Sequence, residues 1–280
     1  MKKGIYLKYL RTLFLYIALI TLSIAFIMPF LWMVTTSLKS GEDEIFSYPP
    51  QLFPKKLNFD NYKRVLELFP WLTFLKNSAI ITFLSTVGIV FSSSLAAFAF
   101  ATLRFKARDK LFLLVISTMM IPYYTTLIPQ YILFSKIGWI DTLKPLWVPA
   151  FFGSAYFIFL LRQFFKSIPR ELFEAAKIDG CNTFQIFYKI YFPLAKPAII
   201  TVIILQFIAA WGDFFGPLIY LQSEEKYTLV LGLNAFRGMY YTSWHYLMAA
   251  TCMVTIPSLI VFLIGQKRII GGITITGMKS

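Results

Sequence analysis

The segment 167–197, SIPRELFEAAKIDGCNTFQIFYKIYFPLAKP, carries the side chains whose types and spacing point most directly to a chemical role. Two carboxylates, Glu171 and Glu174, lie near the N-terminal end of a predicted helix, where negative charge is favourable. The small residues Ala175 and Ala176 would let this helix approach another surface closely. This small pair between Glu174 and Lys177 suggests a helix shaped for close insertion into the groove of a partner protein.

The rest of this segment predicts a second short helix after a glycine turn. Gly180 can end the first helix in a left-handed conformation, and Asn182 with Gln185 has the spacing of a capping box. Aromatic side chains then recur at helical spacing, on Phe184, Phe187, Tyr188 and Tyr191, before Pro193 and Pro197. The alternative interpretation is an amphipathic hairpin that merely connects two membrane helices.

Catalytic and metal-binding chemistry finds little support in the sequence. The sole histidine, His245, stands beside a tryptophan at a predicted membrane boundary, so a structural role is expected. Cys181 and Cys252 have neither metal-ligand spacing nor a disulfide framework, and we expect free thiols. The sequence has no complete phosphate-binding glycine loop or nucleophile elbow. We predict no catalytic residue, metal or cofactor in this chain, and any uphill movement of a solute would draw its energy from another subunit.

Composition places these residues in a membrane protein. Apolar residues make up 58% of the 280 residues and charged residues only 14%, whereas soluble domains carry about 25% charged residues. Six apolar runs of membrane length cover residues 12–38, 72–103, 111–134, 146–161, 198–221 and 246–264. We therefore predict an all-α polytopic integral membrane protein with about six transmembrane helices.

The formal net charge of +14 does not indicate nucleic acid, because the basic residues lie between the apolar runs. Of the 27 Lys and Arg residues, 17 fall in the N-terminus, two alternate loops and the tail. Because basic residues favour the cytoplasmic side, both termini are predicted to be cytoplasmic. The resulting layout has an N-terminal segment with a first helix (1–38), an extracytoplasmic loop (39–71), a five-helix core with the loop 165–197 (72–266) and a cytoplasmic tail (267–280).

A polar solute crossing such a protein needs polar partners for its hydroxyls and flat apolar faces for its C–H groups. Six side chains in or beside the apolar runs fit that need: Tyr123, Tyr124, Gln130, Gln206, Trp211 and Asp213. Pro122 and Pro129 are expected to break the third helix near three of them. Helix packing is the alternative explanation for each of the six.

The sequence also resembles a known family. Glu174-Ala175-Ala176, Asp179-Gly180 and Ile190-Tyr191-Phe192-Pro193 look like the EAA signature of ABC importer permeases, E-A-A-x-x-D-G-x(9)-I-x-x-P. The segments 103–106, 120–130, 211–214 and 271–279 are similar to the maltose-type permeases of the carbohydrate importer family, which are binding-protein-dependent inner-membrane components. The resemblance extends from about residue 62 to the C-terminus.

This resemblance implies a type I ABC importer permease fold, in the inner (plasma) membrane of a prokaryote, whose first short helix is a cytoplasmic coupling helix. The residues implied in ATPase coupling are Glu171, Glu174, Ala175, Ala176, Asp179, Gly180 and Pro193. The residues of the tail implied at the ATPase interface are Gly272, Gly277 and Lys279.

The resemblance further implies a heterodimer with a second permease, two cytoplasmic ATPase subunits that bind ATP and Mg, and an extracytoplasmic solute-binding protein met by the loop 222–246. A sugar or oligosaccharide would move inward by alternating access, with membrane lipid but no nucleic acid as a further partner. The alternatives are a stand-alone secondary transporter or channel for a small polar solute, and an integral membrane enzyme. The scarcity of buried titratable groups disfavours the former, and the lack of a catalytic cluster disfavours the latter.

Overall fold

The computed structural model describes residues 2–237 and 242–277, with side chains described for residues 9–234, 236–237 and 242–267. Within these ranges the chain is helical, apart from loops and one isolated antiparallel bridge between Arg237 and Thr242. Contacts divide the chain into two compact units, Met1–Phe69 with Leu233–Thr255 and Pro70–Gly232 with Ile256–Ser280. The predicted all-α class is confirmed.

The first unit contains a long apolar helix and two short helices, followed by the beginning of the last helix of the chain. These are α1 (Lys2–Ser37), α2 (Glu42–Ile45) and α3 (Asp60–Leu68). Within α1, the most apolar window of the span Tyr9–Ser37 has no buried residue. Beyond α1 the fully buried Lys39 donates its ammonium to the carbonyl of Gln51 at 2.7 Å, which fixes the following loop.

The second unit holds most of the remaining helices. They are α4 (Trp71–Thr102), α5 (Arg108–Ser117), α6 (Tyr123–Lys136), α7 (Lys144–Trp147), α8 (Ala155–Ser167), α9 (Arg170–Ile178), α10 (Thr183–Ile186), α11 (Phe192–Leu194), α12 (Lys196–Trp211), α13 (Phe215–Tyr220), α14 (Leu229–Gly232) and the later part of α15 (Trp244–Gly277). A π-helical turn, Phe187–Tyr191, joins α10 to α11.

Among the residues that the structure describes, four helical segments are long and apolar enough to cross a membrane: Tyr9–Ser37, Trp71–Thr102, Lys144–Ser167 and Trp244–Lys267. Two bent pairs, Arg108–Met120 with Tyr123–Lys136 (96°) and Thr183–Leu194 with Lys196–Trp211 (78°), bring the number to six if each pair is one span. This count agrees with the predicted number of about six.

Only one of the two helix breaks predicted at prolines is present in the structure. Pro122 lies at the bend between α5 and α6, as expected. Pro129 lies inside α6 without ending it, so its expected break is wrong. Membrane helices tolerate such a proline because neighbouring groups can satisfy the freed backbone carbonyl. The fifth apolar run also stops early, since α12 ends at Trp211 and α13 begins only at Phe215.

The core of the second unit forms around α4, which packs mainly against α8 and α12. Close approach is possible because α4 carries small polar residues here whose hydroxyls form hydrogen bonds with backbone groups. Ser92 donates its hydroxyl to the carbonyl of Ala150 at 3.0 Å, and Ser93 accepts the amide of Ser154 at 3.2 Å. Closer to the C-terminal end of α4, Phe98 packs against three rings, with centroids 6.2 Å from Phe165, 5.3 Å from Phe187 and 5.1 Å from Tyr191.

Two isoleucines near the Gly180 turn allow a matched test of this packing. Ile186 is fully buried, whereas Ile178 is 86% exposed. We expect Ile186→Ala to destabilise the purified chain by about 2–5 kcal/mol, because it removes buried methyl groups and leaves a cavity. Ile178→Ala should change stability by less than about 0.5 kcal/mol. Thermal unfolding in detergent measures both, and equal effects of the two variants would contradict the packing of the hairpin.

Candidate functional site

The segment with the predicted docking residues forms two short helices around a glycine turn, which we call the 170–194 hairpin. Its first helix, α9, ends in hydrogen bonds from the amide of Gly180 to the carbonyl of Lys177 (3.1 Å) and from the amide of Cys181 to the carbonyl of Ala176 (2.9 Å). Gly180 adopts φ +82°, the left-handed conformation that this motif requires. The glycine turn is therefore confirmed.

The second half of the hairpin begins with the predicted capping box. Asn182 accepts the amide of Gln185 at 2.8 Å, and the side chain of Gln185 accepts the amide of Asn182 at 2.8 Å. Both donors would otherwise be left unpaired at the start of α10. This pair fixes the direction in which the chain returns from the Gly180 turn.

The docking residues divide between the surface and the core. Ala176 is only 5% exposed and belongs to the apolar core of the second unit. Its small side chain lets α9 pack closely within the chain. The other six residues are exposed to solvent: Glu171, Glu174, Ala175, Asp179, Gly180 and Pro193. The carboxylate of Glu174 accepts a hydrogen bond from Arg170 at 3.1 Å, one helical turn earlier. Thus α9 is anchored through one face and presents carboxylates and Ala175 on another.

The four aromatic residues that recur at helical spacing in the hairpin divide between the core and the surface. Phe187 and Tyr191 enter the core, whereas Phe184 is 61% and Tyr188 64% exposed. A π-helical turn covers Phe187–Tyr191, and its hydrogen-bond spacing is wider than that of an α-helix.

An apolar groove of about 860 Å³ runs along α4 and α12 and reaches the hairpin. Trp211 lines it and stacks on Phe207 with a centroid distance of 5.6 Å and an interplanar angle of 9°. Thr82 and Thr86 also line it, and their hydroxyls have no hydrogen-bond partner among the described residues. Of the six predicted solute-contacting side chains, Trp211 is the one in this groove.

Four other candidates lie around α6, α12 and α13. Tyr124 packs edge-on against Phe215 at 5.6 Å, and Tyr123 lies beside it at 5.8 Å. Gln130 accepts the hydroxyl of Tyr220 at 3.4 Å. The carboxylate of Asp213, in the break between α12 and α13, accepts the amide of Gly216 at 3.2 Å.

Gln206 is the sixth candidate and points its amide at another helix. Its Nε2 lies 3.4 Å from the hydroxyl of Ser85 on α4. The structure therefore does not gather the six predicted residues into one cluster. It places Tyr123 and Tyr124, which are both exposed, at one location and Trp211 at another.

The predicted tail residues are only partly described. Gly272 and Gly277 lie in α15, which continues as a helix well beyond the end of the sixth apolar run. Lys279 lies outside the described residues.

In the first unit, His245 is buried in the opening turn of α15, with its Nδ1 3.4 Å from a carboxylate oxygen of Glu42. Both cysteines are free thiols, and no metal-holding group of three acidic, His or Cys side chains occurs among the described residues.

A polar cluster around Asp141 was missed by the sequence analysis. Asp141 has φ +57°, and its carboxylate accepts the amides of Gln222 and Ser223 at 2.9 Å each and the ammonium of Lys226 at 2.8 Å. The ion pair with Lys226, the Ser223 hydroxyl and the two amides hold the pKa of this carboxyl well below its usual range. No local sequence pattern could predict this cluster, because the partners lie more than eighty residues from Asp141 in the chain.

The segment that follows is fixed by the beginning of α4. Asn77 donates its amide group to the carbonyls of Glu225 (2.9 Å) and Tyr227 (3.0 Å). Ser78 accepts the amide of Leu229 at 2.9 Å. Asp141, Asn77 and Ser78 therefore hold residues 222–229 in a defined conformation, of which only Glu224–Lys226, in a short 3-10 helix, and Leu229, at the start of α14, are helical.

Comparison with known protein families matches residues 88–273 to the family described as "Binding-protein-dependent transport system inner membrane component". The chain is 33% identical over 263 residues to the arabinooligosaccharides transport system permease protein AraQ of Bacillus subtilis, covering 92% of each chain. It is 33% identical over 276 residues to the trehalose/maltose transport system permease protein MalG of Thermococcus litoralis, covering 96% of this chain and 98% of that one.

Solved structures include a similar chain in the crystal structure of a bacterial ABC transporter involved in the import of the acidic polysaccharide alginate. The TM-score is 0.82 and the sequence identity 26%, covering 92% of this chain and 96% of the other. The arrangement of helices described above is therefore that of an ABC transporter membrane subunit.

The Asp141 cluster predicts a local effect of Asp141→Asn. Amide exchange in residues 222–229 should rise about tenfold at neutral pH, because the charge-assisted hydrogen bonds are lost. Since the native pKa is depressed, the stabilisation is complete above the unfolded pKa and is lost progressively as pH falls from about 4 through the lower native pKa. Hydrogen exchange, corrected for its intrinsic pH dependence, measures both effects. Asp43→Asn, at an exposed aspartate, is the control, and unchanged exchange in Asp141→Asn would refute the assignment.

Proposed function

The chain belongs to the family of binding-protein-dependent transport system inner membrane components, and from this membership we propose that it carries a sugar or oligosaccharide into the cell as one membrane subunit of an ATP-driven importer. It is a permease subunit of the ABC importer class and is not itself an enzyme. A carbohydrate substrate follows from the relatives, whose names refer to arabinooligosaccharides, trehalose and maltose, and alginate. These solutes share many hydroxyls and differ in size and charge.

The exposed face of α9 is the single observation that carries the proposed coupling to an ATPase. Glu171, Glu174 and Ala175 face solvent there, while Ala176 holds the same helix in the core. A helix with one face buried and an acidic, small-residue face exposed fits a groove with basic side chains on a partner. Separate ATPase subunits would bind ATP and Mg and transmit their closure through this helix.

Two features support a second permease subunit as a partner. Helix α1 spans a membrane length without a buried residue in its most apolar window. The groove along α4 and α12 is lined almost entirely by apolar side chains and is open. In a heterodimer, helices of the second permease would cover such surfaces by close packing, with lipid covering the remainder.

The proposed orientation places the 170–194 hairpin on the cytoplasmic side and the Asp141 cluster on the opposite side. The two lie near opposite ends of α4, since Phe98 contacts the hairpin and Asn77 contacts residues 225 and 227. The loop 222–246 would then meet an extracytoplasmic solute-binding protein, which delivers the sugar. Both termini would be cytoplasmic, and the tail with Gly272, Gly277 and Lys279 would extend towards the ATPases.

Alternating access describes the transport step that this arrangement serves. Closure of the ATPases on ATP would move the coupling helices and bias the permease pair towards an outward-facing state. The sugar path would run between the two permeases, with aromatic and amide groups such as Tyr123, Tyr124 and Gln130 offering stacking faces and hydrogen bonds. Gln206, Trp211 and Asp213 are the further candidates along that path.

Reversal of charge at Glu174 tests the docking of α9. We expect Glu174→Lys to reduce ATP-dependent uptake and retention of the ATPase subunits about tenfold or more, because like charges would meet at the interface. Glu67→Lys is a matched control, since Glu67 is also an exposed partner of an arginine, Arg64, on a short helix. Transport assays and co-purification measure the effect, and normal uptake by Glu174→Lys at normal expression would exclude this role for the carboxylate.

The source of energy distinguishes the proposed importer from a secondary transporter. In reconstituted vesicles with internal ATP, sugar uptake should continue when ionophores collapse all ion gradients. Uptake should cease when ATP is replaced by a non-hydrolysable analogue, because the chain carries no energy-converting chemistry of its own. Uptake without ATP that stops with the ion gradient would overturn the proposal.

A further inference from the structure

A basic pocket of about 470 Å³ lies beside the hairpin and is not used by the function proposed above. Four cationic side chains line it, Arg104, Arg108 and Lys110 from the segment 103–110 and Arg170 from the first turn of α9, together with one carboxylate, Asp109. Two separate parts of the chain thus converge to make a positively charged cavity.

The one carboxylate cannot neutralise this pocket. Asp109 already accepts two hydrogen bonds from Arg108, at 3.1 and 3.2 Å, and a longer one from Arg162 at 3.5 Å. The carboxylate of Asp109 is therefore already engaged by two arginines. Arg104 and Lys110 form no ion pair with any carboxylate in the described part of the chain. The pocket therefore keeps an excess of positive charge that a doubly or singly charged anion with several acceptor oxygens would satisfy.

The surroundings of the pocket identify the source of that anion. Phe105 lines the pocket and is 42% exposed, and on α5 Leu111 is 44% and Leu114 63% exposed. Helix α5 belongs to a bent pair that is long and apolar enough to form one membrane span. The cationic side chains of the pocket therefore lie beside an apolar surface of the kind that contacts lipid. A free phosphate ion would contact only the cationic side chains. A phospholipid has both a charged headgroup for the pocket and acyl chains for the apolar surface.

We propose that this pocket binds the phosphate headgroup of an anionic phospholipid, with the acyl chains lying along the exposed leucines of α5. The proposal rests on the cytoplasmic orientation proposed above, since the cytoplasmic leaflet attracts basic juxtamembrane segments. Arg170 links the lipid to function, because it lines the pocket and also donates to Glu174 at 3.1 Å. A bound headgroup would thus set the position of an arginine that holds the docking carboxylate of α9.

Native mass spectrometry of the transporter, purified with its accompanying subunits, tests the proposal with dioleoyl phosphatidylglycerol and dioleoyl phosphatidylcholine as probes. The wild type should retain phosphatidylglycerol in preference to phosphatidylcholine. The double variant Arg104→Gln with Lys110→Gln should lose that preference by about thirtyfold, because two cations near the headgroup are removed. Lys55→Gln with Lys56→Gln removes the same charge from two exposed lysines elsewhere and should keep the preference.

Three outcomes would overturn the lipid assignment. Equal phosphatidylglycerol retention by the Arg104/Lys110 double variant and the wild type would exclude the pocket. Protection of Lys110 from amine acetylation by inorganic phosphate as strong as that by phosphatidylglycerol would identify a free anion site. Loss of ATPase subunits from the double variant with lipid retention intact would make the pocket a protein contact. If no ATPase subunits accompany the wild type, the proposed function is refuted but the lipid proposal is not. Lipid retention is then still measured on the isolated chain.

Discussion

The packing of Phe98 against the rings of Phe165, Phe187 and Tyr191 is the interaction on which the rest of the structure depends. It attaches the 170–194 hairpin, which is built from short helices, to the longest helix of the second unit. Short helices of four or nine residues are unstable alone in water. Their conformation is therefore a property of the core that holds them, and a force applied to the exposed face of α9 reaches α4 through these rings.

Helix α4 then connects this contact to the opposite end of the unit. Asn77 and Phe98 are twenty-one residues apart, and at 1.5 Å per residue this separation spans about 32 Å, roughly the thickness of the hydrocarbon core. At one end, the amide of Asn77 and the hydroxyl of Ser78 fix residues 225–229. At the other end, aromatic rings fix the hairpin. A single rigid helix thus ties the surface proposed for the ATPase to the loop proposed for the solute-binding protein.

The sequence could predict the parts of this arrangement that are local. The glycine turn at Gly180, the capping box of Asn182 and Gln185 and the bend at Pro122 each follow from residues within a few positions of one another. Features that depend on distant partners could not be predicted in this way. Asp141 acquires its role from residues 222–226, and the burial of Ala176 is decided by the core around it. The break expected at Pro129 does not occur, because a membrane helix can continue through a proline when neighbouring groups satisfy the freed backbone carbonyl.

The candidate solute-contacting residues lie at two separate locations, and neither location alone offers enough polar groups for a sugar. The groove beside Trp211 offers a stacked aromatic pair but only a few hydroxyls, of which those of Thr82 and Thr86 have no partner among the described residues. A sugar placed there would leave most of its own hydroxyls unpaired, and each such burial is costly. The groups around α6 and α13 provide an amide, tyrosine hydroxyls and a carboxylate, but two of the tyrosines are open to solvent. A path that satisfies a sugar therefore needs additional polar groups, and a second permease facing these helices is the subunit that would supply them.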